Sequence, residues 1–140
     1  MTQDNIALVS RIWNEVWNRG ELDACDEILA ADYTGIIPGQ PEPIRGPEAF
    51  KQMVAAYRGG FPDVHLTVDD VFATGDRVAV RWVSRGTNSG AMMGMPPTGR
   101  PMEVMGISLF QVVDGKVAME WEGFDTMGMM RQLGLVPAGA

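Results

Sequence analysis

The sequence has only one cysteine and one histidine, and these two scarcities exclude several kinds of site. Cys25 cannot form an internal disulfide, so nothing in the chain requires an oxidising compartment. Cys25 and His65 together cannot assemble a usual transition-metal site, and neither has an evident partner for a nucleophilic triad. Cys25 lies on a predicted helix between Leu22 and Ile28, which favours a buried thiol over a nucleophile. We therefore expect no metal and no thiol chemistry.

Positive charge and long apolar runs are also scarce. The 140 residues include 11 Lys and Arg against 18 Asp and Glu, which gives a formal charge of −7. No basic stripe can neutralise phosphates, so a nucleic-acid partner is not expected. No segment approaches the roughly 20 apolar residues of a membrane span. The N-terminus also lacks the basic start and apolar run of a signal peptide, so we expect a cytoplasmic protein with no membrane partner.

The first part of the chain has the spacing of helices. Hydrophobic residues make up 46% of the sequence, enough for one domain over residues 1–140 with a real core. Asp4 is a candidate N-cap, Gly20 a candidate C-terminal stop, and Pro47 suits the first position of a later helix. A short strand is predicted over residues 34–37. The predicted helices cover residues 4–20, 21–33 and 46–61.

From His65 onward the apolar residues alternate as they do in strands. The dipeptides at 75–76 and 114–115 are turn signals, so successive strands are expected to form antiparallel hairpins. A short helix is predicted over residues 125–134. The strand-like runs cover residues 65–76, 77–89, 101–115 and 116–124. This order predicts an α+β fold, with the helices on one side of a strongly bent antiparallel sheet.

Both faces of the predicted sheet are apolar. Val80 and Trp82 point to one face, while Ala79 and Val83 point to the other. Three helices cannot cover both faces, and an exposed apolar face commonly contacts another subunit. We therefore predict a homodimer, or a larger even homo-oligomer, formed through the outer face of the sheet.

The last strand-like run ends in a cluster of acidic residues. Glu120 and Glu122 share one face of the strand. In an apolar pocket Glu122 would have a raised pKa and could act as a general base. Alternatively, Glu122 forms an ion pair with Arg81 or Arg85, and Glu120 is either a second acid or an ion-pair partner. Asp125 has two possible roles, as the N-cap of the last helix or in pocket chemistry.

Other residues are candidates for binding a ligand. Arg81 lies in an apolar run and could bind a carboxylate or enolate, or neutralise a glutamate. The methionines around the long loop have adaptable thioether side chains, which can line a pocket for a flat hydrophobic ligand or can simply fill the core. The aromatic candidates have the same two interpretations, and Tyr33 is the best of them as a hydroxyl donor. The remaining candidates are Trp13, Trp17, Met93 and Met95.

Six segments together resemble a known family. They are EVWNRGELD, FPDVHLTVDD, GDRVAVRW, MGMPPTGRP, VVDGK and RQLG, in this order along the chain. The chain resembles the SnoaL-like polyketide cyclases of the nuclear transport factor 2-like superfamily, from about Ile6 to Leu135. The resemblance implies a cone-shaped, cystatin-like fold. In this fold a curved sheet wraps around three N-terminal helices and leaves a deep apolar pocket.

The resemblance also implies an activity and its residues. Characterised cyclases of this family close a ring by intramolecular aldol condensation on an anthraquinone-type ester, without metal or cofactor. A carboxylate on the last strand moves the proton, and a histidine on the preceding strand assists. Counting from VVDGK and RQLG places the carboxylate at Glu122 and the histidine position at Ser108, with Phe110 and Glu120 on the same pocket side. Serine cannot act as a cationic donor near neutral pH.

The sequence therefore predicts a cofactor-independent acid–base enzyme that acts on a small hydrophobic metabolite. Glu122 would take and return a proton next to a carbonyl group, and Ser108, Tyr33 or Arg81 would polarise the oxygen. A related isomerisation or hydration would use the same base. The alternative is a non-catalytic binding or accessory protein with the same fold.

Overall fold

The structure, a computed structural model, describes residues 2–92 and 94–136. The first predicted helix is confirmed, although it begins at Thr2, so Asp4 lies inside the first turn and is not its N-cap. Gly20 has a φ of 71°, the left-handed conformation expected at the end of a helical segment. The helical segments are α1 Thr2–Arg11, a π-helical turn Ile12–Trp17, a 3₁₀ turn Leu22–Ala24, α2 Cys25–Ile28, α3 Gly46–Gly60 and α4 Thr126–Gln132.

The predicted second helix is too long. The chain is helical only to Ile28, and Leu29 begins a strand. This strand pairs in parallel with the last strand, with Gly35 opposite Glu120. Strand pairing therefore overrides the helical pattern of residues 29–33, because tertiary contacts outweigh local propensity. A two-residue strand at Ile44–Arg45, which was not predicted, pairs with Thr34 and Gly35 of the same strand.

The described strands form one six-stranded sheet in the order β2-β1-β6-β5-β4-β3. Each neighbouring pair is antiparallel except β1 and β6. The sheet is open and curved, and the predicted α+β class is confirmed. The strands are β1 Leu29–Ile36, β2 Ile44–Arg45, β3 His65–Thr74, β4 Arg77–Thr87, β5 Pro101–Val113 and β6 Lys116–Phe124.

The helices pack against the inner face of the sheet and form the core with it. Val78, Phe110 and Val117 on the strands are fully buried, as are Val16 and Val54 on the helical segments. The Cys25 thiol is buried as predicted, and this burial raises its pKa to about 11.

The outer face of the sheet carries exposed apolar side chains. Phe72, Met105 and Ile107 are 64%, 55% and 54% exposed. The homo-oligomer expected through this face stays a prediction. Among the described residues, no helix is both long and apolar enough to cross a bilayer.

Gly106 makes room for a large side chain on the inner face. It pairs with Trp82 across β4 and β5, and a Cβ atom at this position would overlap the indole ring. We expect Gly106→Ala to lower the free energy of unfolding by about 1–3 kcal/mol, as overpacking does. Chemical denaturation measures the loss.

The matched control for this substitution is Gly123→Ala. A Cβ atom at Gly123 would meet open space, and Gly123 lies on the neighbouring strand β6. The control should keep or slightly increase stability, since alanine restricts the unfolded chain. Equal effects of the two substitutions would contradict this account of Gly106.

Candidate active site

Glu120 and Glu122 lie side by side on the inner face of β6. Register places Ser108 of β5 opposite Glu122, and Phe110 opposite Glu120. Strand alternation therefore directs both glutamates toward the helices, as predicted. Glu120 is 3% exposed, and Glu122 is partly exposed. Both line the same cavity between the sheet and the helices.

This cavity encloses about 60 Å³ and has a largely apolar wall. Its polar contributions come from Ser84, the two glutamates, and the heteroatoms of the aromatic and methionine side chains. No lysine, arginine or histidine is among the described residues that line it. The lining residues are Ile12, Trp13, Trp17, Ile37, Met53, Tyr57, Phe61, Val64, Leu66, Trp82, Ser84, Met102, Val104, Glu120, Glu122, Phe124 and Met129.

A chain of hydrogen bonds holds the glutamates. Trp82 Nε1 donates to Ser108 Oγ at 3.0 Å, and Ser108 Oγ donates to Glu122 Oε1 at 3.2 Å. The direction follows because an indole N–H can only donate, which leaves the serine hydrogen for the carboxyl group. Tyr33 Oη donates to Glu120 Oε1 at 2.7 Å in a buried contact. The two carboxyl groups also interact, since each contributes to the pKa shift of the other.

Burial raises the pKa of both glutamates. For Glu122, burial is the largest cause, the negative charge of Glu120 adds to it, and the pKa lies well above the usual range. For Glu120, burial raises the pKa, while the hydrogen bond from Tyr33 opposes the rise. A charged carboxylate is costly in an apolar cavity where no cation stabilises it. The arrangement therefore favours a carboxyl group that keeps its proton to higher pH.

The ion-pair alternative for Glu122 is wrong. Arg81 Nη1 lies 3.3 Å from Asp69 Oδ2, and Arg85 contacts Glu103, in both cases on exposed side chains. Arg81 stands between the inward-facing Val80 and Trp82, so alternation turns it to the outer face. The prediction that Arg81 contacts a ligand in the pocket is wrong for the same reason.

Asp125 caps the last helix. Its Oδ1 accepts from the Gly128 backbone N–H at 2.8 Å. Asp125 is exposed and does not line the cavity. The capping interpretation is confirmed, and its position does not support a catalytic role.

Trp13 and Trp17 line the cavity, and Trp13 has a feature that the sequence did not indicate. Its Nε1 is buried and has no hydrogen-bond partner, the one such side-chain atom among the described residues. Phe110 is fully buried and contacts Trp13 edge to face, with 5.5 Å between the ring centroids. Phe110 therefore supports the wall without lining it. Tyr33 also lies outside the lining. It lies behind the wall, where it donates to Glu120.

Methionines line the cavity, although they are not the predicted ones. Met53, Met102 and Met129 lie in its wall. Met95 faces a separate, smaller cavity beside Met92, so its predicted contact with the same ligand is wrong. Met93 lies outside the described residues. Sequence reasoning also missed Tyr57; its spacing of four residues from Met53 on α3 was the available signal.

The fold and a carboxyl group on the last strand that faces an apolar cavity match those expected for one class of enzyme, and comparison with known proteins identifies it. The sequence matches the family described as SnoaL-like polyketide cyclase over residues 7–133. The chain belongs to this family, and it is an enzyme of the polyketide cyclase kind.

Individual relatives agree with this assignment. The chain is 33% identical to the aklanonic acid methyl ester cyclase DnrD of Streptomyces peucetius, over 86% of this chain and 84% of that protein. It is 32% identical to the nogalonic acid methyl ester cyclase of Streptomyces nogalater, over 84% and 89% of the two chains. A solved SnoaL-like structure from Jannaschia sp. CCS1 superposes with a TM-score of 0.88 at 26% identity, covering 97% and 95% of the two chains.

The raised pKa of Glu122 predicts how stability depends on pH. The folded protein binds more protons than the unfolded chain between about pH 4, the ordinary range for glutamate, and the raised pKa. The stability that Glu122 contributes is therefore present below about pH 4 and lost as pH rises. We expect Glu122→Gln to raise the free energy of unfolding at pH 8. The increase should exceed ~0.5 kcal/mol, the usual limit for the effect of a surface substitution on stability.

Denaturant titrations at pH 4 and pH 8 measure this difference. The control is Glu103→Gln, which removes the same charge from an exposed position on β5. A Glu122→Gln variant that is no more stable than wild type at pH 8 would contradict burial of a carboxyl group that resists ionisation.

Proposed function

We propose that the protein closes a ring by aldol-type condensation in a hydrophobic polycarbonyl ester, with Glu122 as the base. The observation that carries the proposal is an acid with a raised pKa in an apolar cavity. A base near neutral pH needs a pKa close to the pH at which it works, and burial supplies this shift.

The charge of the wall suggests why an ester is the substrate. Glu120 and Glu122 are the ionisable acids of the cavity, and no described cation lines it. A free carboxylate on the ligand would be repelled, whereas a methyl ester carries no charge. Two related proteins are named as cyclases of aklanonic and nogalonic acid methyl esters. We therefore take an aromatic polycarbonyl methyl ester as the substrate class.

The reaction needs no oxidant and no co-reactant. Ionised Glu122 removes a proton from the carbon next to a carbonyl group, and the substrate becomes an enolate. The enolate carbon attacks a second carbonyl carbon, which forms the carbon–carbon bond and leaves an alkoxide. The alkoxide takes the proton back from Glu122. Conjugated carbonyl groups of the substrate spread the enolate charge, and Trp13 Nε1–H is free to donate to a ligand oxygen.

The cavity must enlarge to admit such a ligand. Its volume of about 60 Å³ is well below the roughly 300–1,000 Å³ of clefts that hold drug-sized ligands. Met53, Met102 and Met129 lie in its wall. Methionine side chains are unbranched and change rotamer readily, so they can move aside for a flat ring system.

Glu122→Gln tests the base directly. We expect kcat to fall by about 10²–10⁴, the usual contribution of a positioned proton-transfer group. Turnover of aklanonic and nogalonic acid methyl esters is followed by chromatography of the cyclised product. Glu103→Gln serves as the control and should retain wild-type turnover.

Two outcomes would count against the proposal. A Glu122→Gln variant that turns over within twofold of wild type removes Glu122 from the mechanism. A wild-type protein that binds these esters without converting them would favour the non-catalytic binding protein.

Trp13→Phe tests the unpartnered indole. The substitution keeps an aromatic ring against Phe110 and removes the N–H group. We expect kcat/KM to fall by about 10-fold, equivalent to about 1.4 kcal/mol, the range of one hydrogen bond. Trp17→Phe removes a similar volume from the same wall and gives the size of the packing effect. Equal losses in the two variants would contradict a donor role for Trp13.

A further inference from the structure

Glu120 is a buried acid that the proposed reaction does not use. It lies two residues from Glu122 on the same face of β6, both line the same cavity, and the two carboxyl groups are close enough to shift each other's pKa. Two carboxylates in contact cannot both ionise easily, and here burial adds to the cost. A hydrogen bond between two carboxyl groups requires that one of them keeps a proton, because carboxylates can only accept.

Each glutamate accepts a hydrogen bond from one neutral side chain. Tyr33 Oη donates to one oxygen of Glu120, and Ser108 Oγ donates to one oxygen of Glu122. These donors are neutral and come from different strands. No other described side chain donates to either carboxyl group. The pair can therefore satisfy itself with one proton held between the two glutamates.

The other groups near the pair do not offer an alternative. Besides the two glutamates, the described cavity wall contains one tyrosine, Tyr57 of α3. Burial and the charge of Glu122 raise the pKa of Tyr57. Burial, then the charge of Glu120, also raises the pKa of Tyr33. Both phenols therefore remain neutral donors. The described lining holds no cation that could stabilise two negative charges.

We propose that Glu120 and Glu122 share one proton and act as a single acid–base pair. In this pair Glu120 is a positioning residue, and the hydrogen bond from Tyr33 determines which of the two carboxyl groups is ionised. The hydrogen bond from Tyr33 is 2.7 Å long and that from Ser108 is 3.2 Å. The shorter bond from the phenol favours negative charge on Glu120 and leaves the shared proton on Glu122 at rest.

The pair gives Glu120 a part in the reaction, and this role rests on the proposed function. Glu122 passes its proton to Glu120 and, now ionised, removes the proton from the substrate carbon. After the new bond forms, Glu122 protonates the alkoxide, and Glu120 returns the first proton. The total proton count is unchanged at the end. A second ionisation of the pair would place another negative charge beside the forming enolate and oppose it.

Titration by ¹³C NMR of protein labelled at the glutamate carboxyl carbon tests the pair without substrate. In the wild type, the two buried glutamates should titrate together in two widely separated steps that belong to the pair. In Glu120→Gln, Glu122 should titrate in one step, at lower pH than the upper step of the wild type. Two glutamates that each titrate once and independently would overturn the proposal.

Tyr33→Phe provides a second, nearly isosteric test that keeps both acids. Loss of the phenol hydrogen bond should move the lower step to higher pH, since the ionised form of Glu120 loses its donor. An unchanged lower step would overturn the assigned role of Tyr33. This variant also decides the matter if Glu120→Gln does not fold.

Turnover separates positioning from a purely structural role. With aklanonic acid methyl ester, wild-type kcat/KM should rise and then fall with pH, and Glu120→Gln should lose the alkaline fall. A structural role would instead lower kcat/KM equally at every pH and overturn the proposal. If the NMR pair is present but Glu122→Gln keeps full turnover, the proposed function fails while the shared proton stands.

Discussion

One electrostatic constraint governs the site. Two carboxyl groups lie together in an apolar cavity that no described cation lines. Glu120 and Glu122 lie together on β6, and neutral donors alone surround them among the described residues. Neutral hydrogen bonds satisfy oxygen atoms but do not cancel a charge. The pair can therefore lower its energy only by keeping a proton, and this property is what an acid–base enzyme needs.

The parallel pairing of β1 with β6 builds one side of this site. The parallel contact of β1 with β6 brings Tyr33 to Glu120, and the absence of a side chain at Gly35 leaves room for the phenol hydroxyl. On the other side, Gly106 leaves room for the ring of Trp82, which donates to Ser108. Two glycines thus place two donors. Helical segments form the facing wall of the cavity through Ile12, Met53 and Tyr57.

The sequence predicted the parts of the molecule that follow from local rules. Alternation along β6 placed Glu120 and Glu122 on one face, and the sequence position of Asp125 correctly indicated a helix cap. The family resemblance, and not a local rule, placed Ser108 across from Glu122. Residues 29–33 have a helical pattern but belong to β1, which pairs with β6 at Leu29 and again from Thr34, so their structure depends on a partner distant in sequence. Ligand contacts were harder to predict, because contacts between residues distant in sequence determine which methionine lines the cavity. Met53 does so, and Met95 does not.

Infrared difference spectroscopy at pH 7 tests the central claim most directly, because it detects a protonated carboxyl group by its C=O stretching band. Subtracting the spectrum of Glu122→Gln from that of the wild type should reveal such a band, shifted on transfer to D₂O. A difference spectrum that contains only carboxylate bands would show that Glu122 is ionised at rest. It would contradict the view that the cavity holds a protonated acid.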